Sequence, residues 1–483
     1  MTQELKRSLL INTLWSFFGK VGYLLIGLVT NIILVRILGP KEFGQIGIVM
    51  FFINISSVLI ESGMAGALVR KEKIEKIDYS TVFIFNMVVS LILTLVFIIL
   101  AMPISEFYGE PELKNVLTLA SSVLIINALR MTQTAKLIKE LQFKKKIKFE
   151  IIAICISSFF SILLAINDAG IWSLVALQMI TSVVLTFLQC FFIPRTYSYR
   201  FNFNVLKGLY KFGVNTTIAS VINSTFDNIY QIIIARYFSI ENAGFYYQAK
   251  RLQEMPTALI QGTVSGVVFS ALSRVQNNAK EFDKLYYQIV KMFTILVAVV
   301  FLLIYYYADV AVVILYGEEW LDSVFYLKLL VVAAFFLSLE SLNRIIFKIY
   351  DKTFFILKLE VLKKTIQTIT IVYGLWELNI EKLMYGFVIT SFISFIVNYY
   401  YAKVVQGFFN INEFLVIIKI ILVTVFTYYL AFLFSCLTNL EGVNKLLLLP
   451  VIILLMLSML RLFKITNVIY DLMNCKNIIS RKK

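Results

Sequence analysis

Long apolar stretches separated by short polar connections dominate this chain. Fourteen such stretches can be counted, most of them near the length of about 20 residues that an α-helix needs to cross a bilayer. They lie near residues 12–37, 46–68, 81–102, 115–135, 149–166, 171–193, 209–238, 245–271, 288–307, 325–347, 353–376, 381–402, 414–436 and 445–463. A helix satisfies its own backbone hydrogen bonds in lipid, and the alternating pattern of a transmembrane barrel is absent from the sequence. The pattern therefore predicts an all-α integral membrane protein with about 14 transmembrane helices.

The basic residues lie mainly in every second connection. Of the 45 Lys and Arg residues, 35 fall in one set of connections and nine in the other, and Lys20 lies within the first span. The richer set consists of the N-terminus, 70–79, 130–148, 194–211, 273–291, 344–364, 403–419 and the C-terminal tail. Lys and Arg accumulate on the cytoplasmic side of membrane proteins. The alternation predicts an even number of spans, with the N- and C-termini in the cytoplasm.

Composition excludes several classes of function. The 483 residues are 60% hydrophobic and 15% charged, whereas soluble domains have about 45–50% apolar and about 25% charged residues. The net charge of +16 therefore indicates the orientation of the chain in the membrane and not binding of nucleic acid. The chain has no His and its four Cys form no CxxC pair, so we expect no metal site, no catalytic residue and no cofactor.

Two segments of the chain repeat each other at an offset of 200 residues. NIILVRILGPKEFGQIG starts at Asn31 and QIIIARYFSIENAGFYY starts at Gln231, so Arg36 aligns with Arg236 and a glycine follows in both copies. A chance match of short apolar strings is the alternative. Six predicted spans separate the copies, so both copies run in the same direction across the membrane. Parallel repeats build two lobes related by a pseudo-twofold axis along the membrane normal.

The repeat predicts the domain organisation. Residues 1–200 would form an N-lobe of spans 1–6, and residues 201–405 a C-lobe of spans 7–12. Residues 406–483 would add two transmembrane helices and a basic cytoplasmic tail.

The 6+6+2 plan, the LGPKEFGQIG turn and its weaker copy in FSIENAGFYYQAKRL resemble bacterial polysaccharide flippases of the Wzx type. This family belongs to the multidrug/oligosaccharidyl-lipid/polysaccharide (MOP) exporter superfamily. The resemblance implies alternating-access transfer of an undecaprenyl-pyrophosphate-linked oligosaccharide across the bacterial cytoplasmic membrane. The implied partners are the lipid-linked oligosaccharide, the bilayer and polysaccharide-assembly proteins, without nucleic acid.

Charged residues in or at the ends of predicted spans are the candidate site. The candidate substrate-binding cations are Lys20, Arg36, Arg236, Arg251 and Arg344. A charge inside a span is costly unless it faces protein or water, and the planar fork of Arg suits phosphate oxygens. Structural alternatives are a helix-end lysine at Lys20, interfacial anchors at Arg36 and Arg236, and ion pairs of Arg251 with Glu254 and of Arg344 with Glu340.

Three carboxylates are the candidate lumen-facing or coupling groups: Asp227, Glu61 and Glu254. Without His, proton coupling would need a carboxylate. A proton gradient, a sodium gradient and the membrane potential remain alternative driving forces.

Other functions fit the pattern less well. The same fold could carry another cargo, as a lipid II flippase or a multidrug/cation antiporter does. A membrane polysaccharide polymerase is a weaker alternative, because every predicted outer connection is short.

Overall fold

The computed structural model describes residues 3–61, 64, 66, 68, 71, 74–195, 197–407, 409–440 and 442–465. Within these ranges the regular secondary structure is helical. The first six long helices are α1 (Gln3–Ile37), α2 (Pro40–Glu61), α3 (Lys76–Tyr108), α4 (Glu112–Lys139), α5 (Phe143–Ile166) and α6 (Ile171–Phe192). The next are α7 (Phe203–Tyr237), α8 (Ile240–Thr263), α9 (Ala279–Tyr306), the short α10 (Ala308–Leu315), α11 (Ser323–Ile349), α12 (Thr353–Trp376) and α13 (Ile380–Gln406). The chain ends with α14 (Ile411–Thr438) and α15 (Leu449–Leu462). The predicted all-α class is confirmed.

Twelve of the described helical segments are long and apolar enough to cross a membrane. The two predicted spans that are not among the twelve correspond to α7 and α12. The first half of α12 carries four charges, at Lys358, Glu360, Lys363 and Lys364, and α7 carries several Asn and Thr residues besides Asp227. The count of 14 spans and the cytoplasmic termini stay predictions.

Asparagine side chains start several of the long helices. The side-chain oxygen of Asn202 accepts hydrogen bonds from the backbone N–H groups of Asn204 and Val205. The same type of cap is made by Asn278, Asn379 and Asn410, at the starts of α9, α13 and α14. Such caps satisfy N–H groups that have no partner within the helix, so they fix where each helix begins.

Packing divides the chain into two compact units, Met1–Tyr247 and Gln248–Lys483. In the second unit, the buried ion pair between Lys403 and Glu413, 2.5 Å apart, joins α13 to α14. An apolar core of α9, α14 and α15 side chains packs beside it. The predicted lobe boundaries at residues 200 and 405 stay predictions.

Two glycines of the sequence repeat pack reciprocally within the first unit. A Cβ atom on Gly44 would lie well inside van der Waals distance of the carbonyl oxygen of Ile240, and one on Gly244 would overlap the carbonyl oxygen of Pro40. Each residue of one contact is 200 positions from its counterpart in the other. The first turns of α2 and α8 therefore cross with their backbones in contact, which only a residue without a side chain allows.

The repeat extends into the later helices at an offset of 210 residues. Helix α4 ends at Lys139 and α11 at Ile349, while α5 spans Phe143–Ile166 and α12 spans Thr353–Trp376. Left-handed backbone conformations recur at the same offset, at Leu141 and Asp351 and again at Asp168 and Leu378. The α4–α5 hairpin thus has a structural counterpart in the α11–α12 hairpin, which allows residues at equivalent places to be compared.

Candidate functional site

A partly open cavity of about 490 Å³ lies between the end of α2 and the C-terminal half of α4. Its described lining residues are Ser57, Ile60, Glu61, Gly66, Leu124, Asn127, Arg130, Met131, Thr134, Ala135 and Ile138. Most of the wall is apolar, and two charged residues, Glu61 and Arg130, face it. Ligand sites usually combine an apolar wall with a few polar groups that fix orientation.

Asn127 holds the guanidinium of Arg130. The Oδ1 atom of Asn127 accepts hydrogen bonds from Nε and Nη2 of Arg130, at 3.2 and 3.0 Å. Residues three positions apart share one face of a helix, so both side chains point into the cavity from α4. Among the described residues, Asn127 is the one side-chain hydrogen-bond partner found for Arg130. These two hydrogen bonds use two of the five N–H groups of the guanidinium.

Glu61 lies across the same cavity, at the last residue of α2. Glu61 and Glu150 both act electrostatically on Arg130. Glu150 forms its own ion pair with Lys146 on α5, with 2.6 Å between Nζ and Oε1. No ion pair within 4 Å joins Glu61 to Arg130 among the described residues. Glu61 and Arg130 therefore bring opposite charges to the cavity, but they do not close it with an ion pair.

A polar network behind the cavity braces α4 against α6. The hydroxyl of Thr134 donates to Oε1 of Gln189 at 2.7 Å, and Nε2 of Gln133 contacts the sulfur of Cys190 at 3.8 Å. Gln189 is fully buried. Buried polar groups paired in this way set the rotation of α4, and so the direction in which Arg130 points.

The predicted cations have different surroundings. Lys20 and Arg36 are exposed, and Arg251 is half-buried. Arg236 lies over the ring of Phe107, with 4.4 Å from its guanidinium carbon to the ring centre. That contact is the cation–π type, which occupies one face of the guanidinium. That these cations line one lumen stays a prediction.

The predicted carboxylates also differ from one another. Asp227 and Glu254 are exposed. Among the described residues, Glu254 pairs with Lys250 at 3.7 Å, in place of the alternative pair with Arg251. The i,i+4 spacing of Lys250 and Glu254 brings their charged ends together on the helix surface. A coupling role for Asp227, Glu61 or Glu254 stays a prediction.

Arg344 belongs to a cluster of four charged residues between α11 and α12. Glu340 lies 3.8 Å from Arg344 and 3.2 Å from Lys363. Glu360 contacts Arg344 and lies 3.3 Å from Lys363. The pair of Glu340 with Arg344 is therefore present, but it is half of a larger network. The positive charge of Arg344 is already balanced by two carboxylates, so this residue has less capacity for an anionic ligand than Arg130.

Sequence reasoning missed Arg130 and Asn127. The basic run 130–148 suggests a cytoplasmic connection, whereas α4 continues to Lys139 and leaves Arg130 nine residues, or about 13 Å, from its end. The signal in the sequence that could have indicated this site is the three-residue spacing of Asn127 and Arg130, which places an amide beside the guanidinium on one face of the helix.

Comparisons with known proteins agree with this architecture. The family model described as "Polysaccharide biosynthesis protein" matches residues 33–325. The succinoglycan biosynthesis transport protein ExoT of Rhizobium meliloti is 26% identical over 64% of this chain and 63% of its own length. The lipopolysaccharide biosynthesis protein WzxC of Escherichia coli is 21% identical over 80% of this chain and 79% of its own. The match thus spans less than two thirds of ExoT.

Solved structures show the same fold. The lipid II flippase MurJ in an inward closed conformation has a TM-score of 0.72 and 18% identity, covering 96% of this chain and all of its own. An inward-facing multidrug resistance MATE family transporter of the MOP superfamily has a TM-score of 0.60 and 14% identity, covering 80% of this chain and 94% of its own. At these identities the likeness concerns the fold alone.

Proposed function

Because this chain belongs to the polysaccharide biosynthesis protein family, we propose that it is a flippase for a lipid-linked oligosaccharide. The observation that carries the proposal is the match of residues 33–325 to that family on a transporter fold that extends over 96% of the chain. The relatives named as transport and lipopolysaccharide biosynthesis proteins support the same cargo class. The Wzx-type resemblance of the sequence is confirmed by this membership. The protein is a transporter and not an enzyme.

The cargo is an undecaprenyl-pyrophosphate-linked oligosaccharide in this proposal. A diphosphate that leaves the headgroup zone loses hydration, and fixed cations can replace it. Lys20, Arg36, Arg236 and Arg251 are the proposed cations for this role. Arg344 is the weakest of the predicted cations, because two carboxylates already neutralise it. The prenyl chain would stay in lipid, and alternating access would carry the polar head across.

Transport would be coupled through a carboxylate or driven by the membrane potential. Glu61 is the best-placed of the predicted carboxylates, because it faces a cavity that also holds Arg130. A cargo group that donates a hydrogen bond to the ionised form of Glu61 would hold that carboxylate unprotonated, and departure of the cargo would favour uptake of a proton. Asp227 and Glu254 are the alternatives, and sodium is the alternative ion.

The proposed location is the bacterial cytoplasmic membrane, where lipid-linked oligosaccharides are made on the inner leaflet. The proposed partners are the lipid-linked oligosaccharide, the surrounding bilayer and proteins of polysaccharide assembly.

A leaflet-resolved measurement tests the function. In cells lacking the protein, lipid-linked oligosaccharide should accumulate where an impermeant enzyme or periodate added outside cannot reach it. Re-expression of the native chain should restore the accessible pool, and Arg200→Gln, in an exposed connection, should restore it equally. An outer-leaflet pool that is the same with and without the protein would contradict the proposal.

A further inference from the structure

We propose that the cavity between α2 and α4 binds a neutral sugar residue of the transported glycan, held by Arg130 and Glu61. This inference rests on the proposed function, because that function supplies a glycan as cargo. It adds a separate place for part of the polar head, in the interior of the first repeat and distinct from the cations that would meet the diphosphate.

The polar groups of the cavity match hydroxyl chemistry. A guanidinium carries five N–H donors, and the hydrogen bonds to Asn127 use two of them. Glu61, across the cavity, is an acceptor of hydrogen bonds when ionised. A sugar hydroxyl both donates and accepts, so neighbouring hydroxyls can accept from Arg130 and donate to Glu61 at once.

The charge balance argues against a phosphate at this place. Glu61 and Arg130 face the same cavity with opposite charges, and Glu150 is already paired with Lys146. A phosphate carries acceptor oxygens and negative charge, so it would gain from Arg130 and be repelled by Glu61. A neutral sugar makes the same contact with Arg130 without that repulsion.

The size and the wall of the cavity suit a sugar ring. A volume of about 490 Å³ lies within the usual range of small-molecule sites. The apolar side chains Ile60, Leu124 and Met131 line the wall and can pack against the C–H face of a pyranose. Asn127 acts as a positioning residue, because it holds the guanidinium in one orientation through two hydrogen bonds.

The experiment uses the full-length protein in nanodiscs of phosphatidylcholine. The probe is the glycan released by mild acid from the lipid-linked oligosaccharide of the host, with inorganic pyrophosphate as the competitor. Saturation-transfer NMR reports glycan binding and its displacement. We expect the native protein to bind the glycan and pyrophosphate not to displace it.

Variants locate the binding. Arg130→Gln should weaken glycan binding by about tenfold or more, as expected for a lost charge-assisted hydrogen bond. Arg130→Lys keeps the charge but loses the planar fork of the guanidinium, so it should weaken glycan binding nearly as much as Arg130→Gln. If the cavity bound a phosphate, the same substitution would weaken binding less. Glu61→Gln should leave the cavity open to pyrophosphate.

The matched control Arg200→Gln should bind the glycan like the native protein. Melting temperatures identify any variant that is misfolded.

Several results would overturn the inference. These are displacement of the glycan by pyrophosphate in the native protein, unchanged binding in both Arg130 variants that fold, no detectable glycan binding, and displacement by phosphatidylethanolamine added to the nanodiscs. The last result would assign the cavity to an ethanolamine head group, whose ammonium has N–H donors that the choline of phosphatidylcholine lacks. Failure of the flippase function is distinguishable, because it would leave Arg130-dependent glycan binding intact while the outer-leaflet pool in cells stayed unchanged on deletion.

Discussion

The α4–α5 hairpin of the first repeat and the α11–α12 hairpin of the second have the same backbone plan but pair their charged residues differently. At the 210-residue offset, Arg130 corresponds to Glu340 and Glu150 corresponds to Glu360. The first hairpin leaves Arg130 facing a cavity with Glu61, whereas the second closes Glu340 and Glu360 onto Arg344 and Lys363. Where the cluster is internally neutralised, the charges hold helices together. Where the charged side chains face a cavity without forming an ion pair, as Arg130 and Glu61 do, they can contact a ligand.

The largest effect is expected from breaking the closed cluster. Lys363→Ala removes one of the cations that contact Glu340, which is 2% exposed, and Glu360. Removal of one partner of a buried ion network costs about 3–5 kcal/mol of folding free energy. The measurement is thermal unfolding of the purified protein in detergent, followed by intrinsic fluorescence.

The control for this variant is an exposed pair in the same repeat. Lys382→Ala removes the partner of Glu377, 2.9 Å away at the surface, and should lower the melting temperature far less, because solvent screens an exposed ion pair. If Lys363→Ala lowered the melting temperature no more than Lys382→Ala, the closed cluster would not be a stabilising element.

The reciprocal glycine crossing should give the next largest effect. Gly44→Ala and Gly244→Ala each place a methyl group against a backbone carbonyl, and forced repacking of this kind costs about 1–3 kcal/mol. Because the two contacts are related by the repeat, we expect similar losses of thermal stability for both variants. Gly262→Ala is the control, since nothing lies within 4 Å of its Cβ position. A large loss for one glycine and none for the other would show that the crossing is not symmetric.

Arg130→Ala should separate stability from transport. The variant loses the two hydrogen bonds to Asn127, which is a smaller loss of stability than breaking a buried ion network. The outer-leaflet pool of lipid-linked oligosaccharide should nevertheless fall strongly. Normal transport combined with a loss of stability like that of Lys363→Ala would make Arg130 a structural residue, as its counterpart in the second repeat is.

The smallest effect is expected from an ion pair at the rim of the second unit. Partial burial acts to raise the pKa of Asp309, but the ammonium of Lys445, 2.6 Å away, outweighs it and holds that pKa below its usual value. A lowered pKa in the folded state means that the stabilisation is present near neutral pH and is lost as the pH falls through the acidic range.

The pair is partly exposed, so Lys445→Met should remove less than about 1 kcal/mol at neutral pH. Thermal unfolding of the native protein and the variant should converge on acidification. A difference that grew as the pH fell would contradict this assignment.

Much of the fold follows from the sequence, and the interior sites follow from it only in part. Apolar length predicts the helices because lipid leaves few other choices, and the repeat aligns Gly44 with Gly244, but only the structure shows that the two segments pack against each other. The pairing of Glu340 with Arg344 is readable from i,i+4 spacing. The contacts of Glu360 and Lys363 with this pair cannot be predicted from the sequence, because those residues belong to the next helix and their positions depend on its rotation.

The cavity was beyond sequence reasoning for a related reason. It depends on how the end of α2 packs against α4, and on the length of α4 past Arg130. A basic run marks a membrane surface well, but it does not say at which residue the helix leaves the bilayer.

The length of α3 carries a consequence for the outline of the molecule at the membrane surface. Its 33 residues make a rod of about 50 Å, whereas the hydrocarbon layer is about 30 Å thick. Tilts of up to about 40° shorten its vertical reach to little less than 40 Å, so the rod must project into the headgroups or the water beyond. Short connecting loops therefore do not confine the chain to the hydrocarbon layer, because this helix alone extends past it to a depth that other molecules approaching the bilayer could touch.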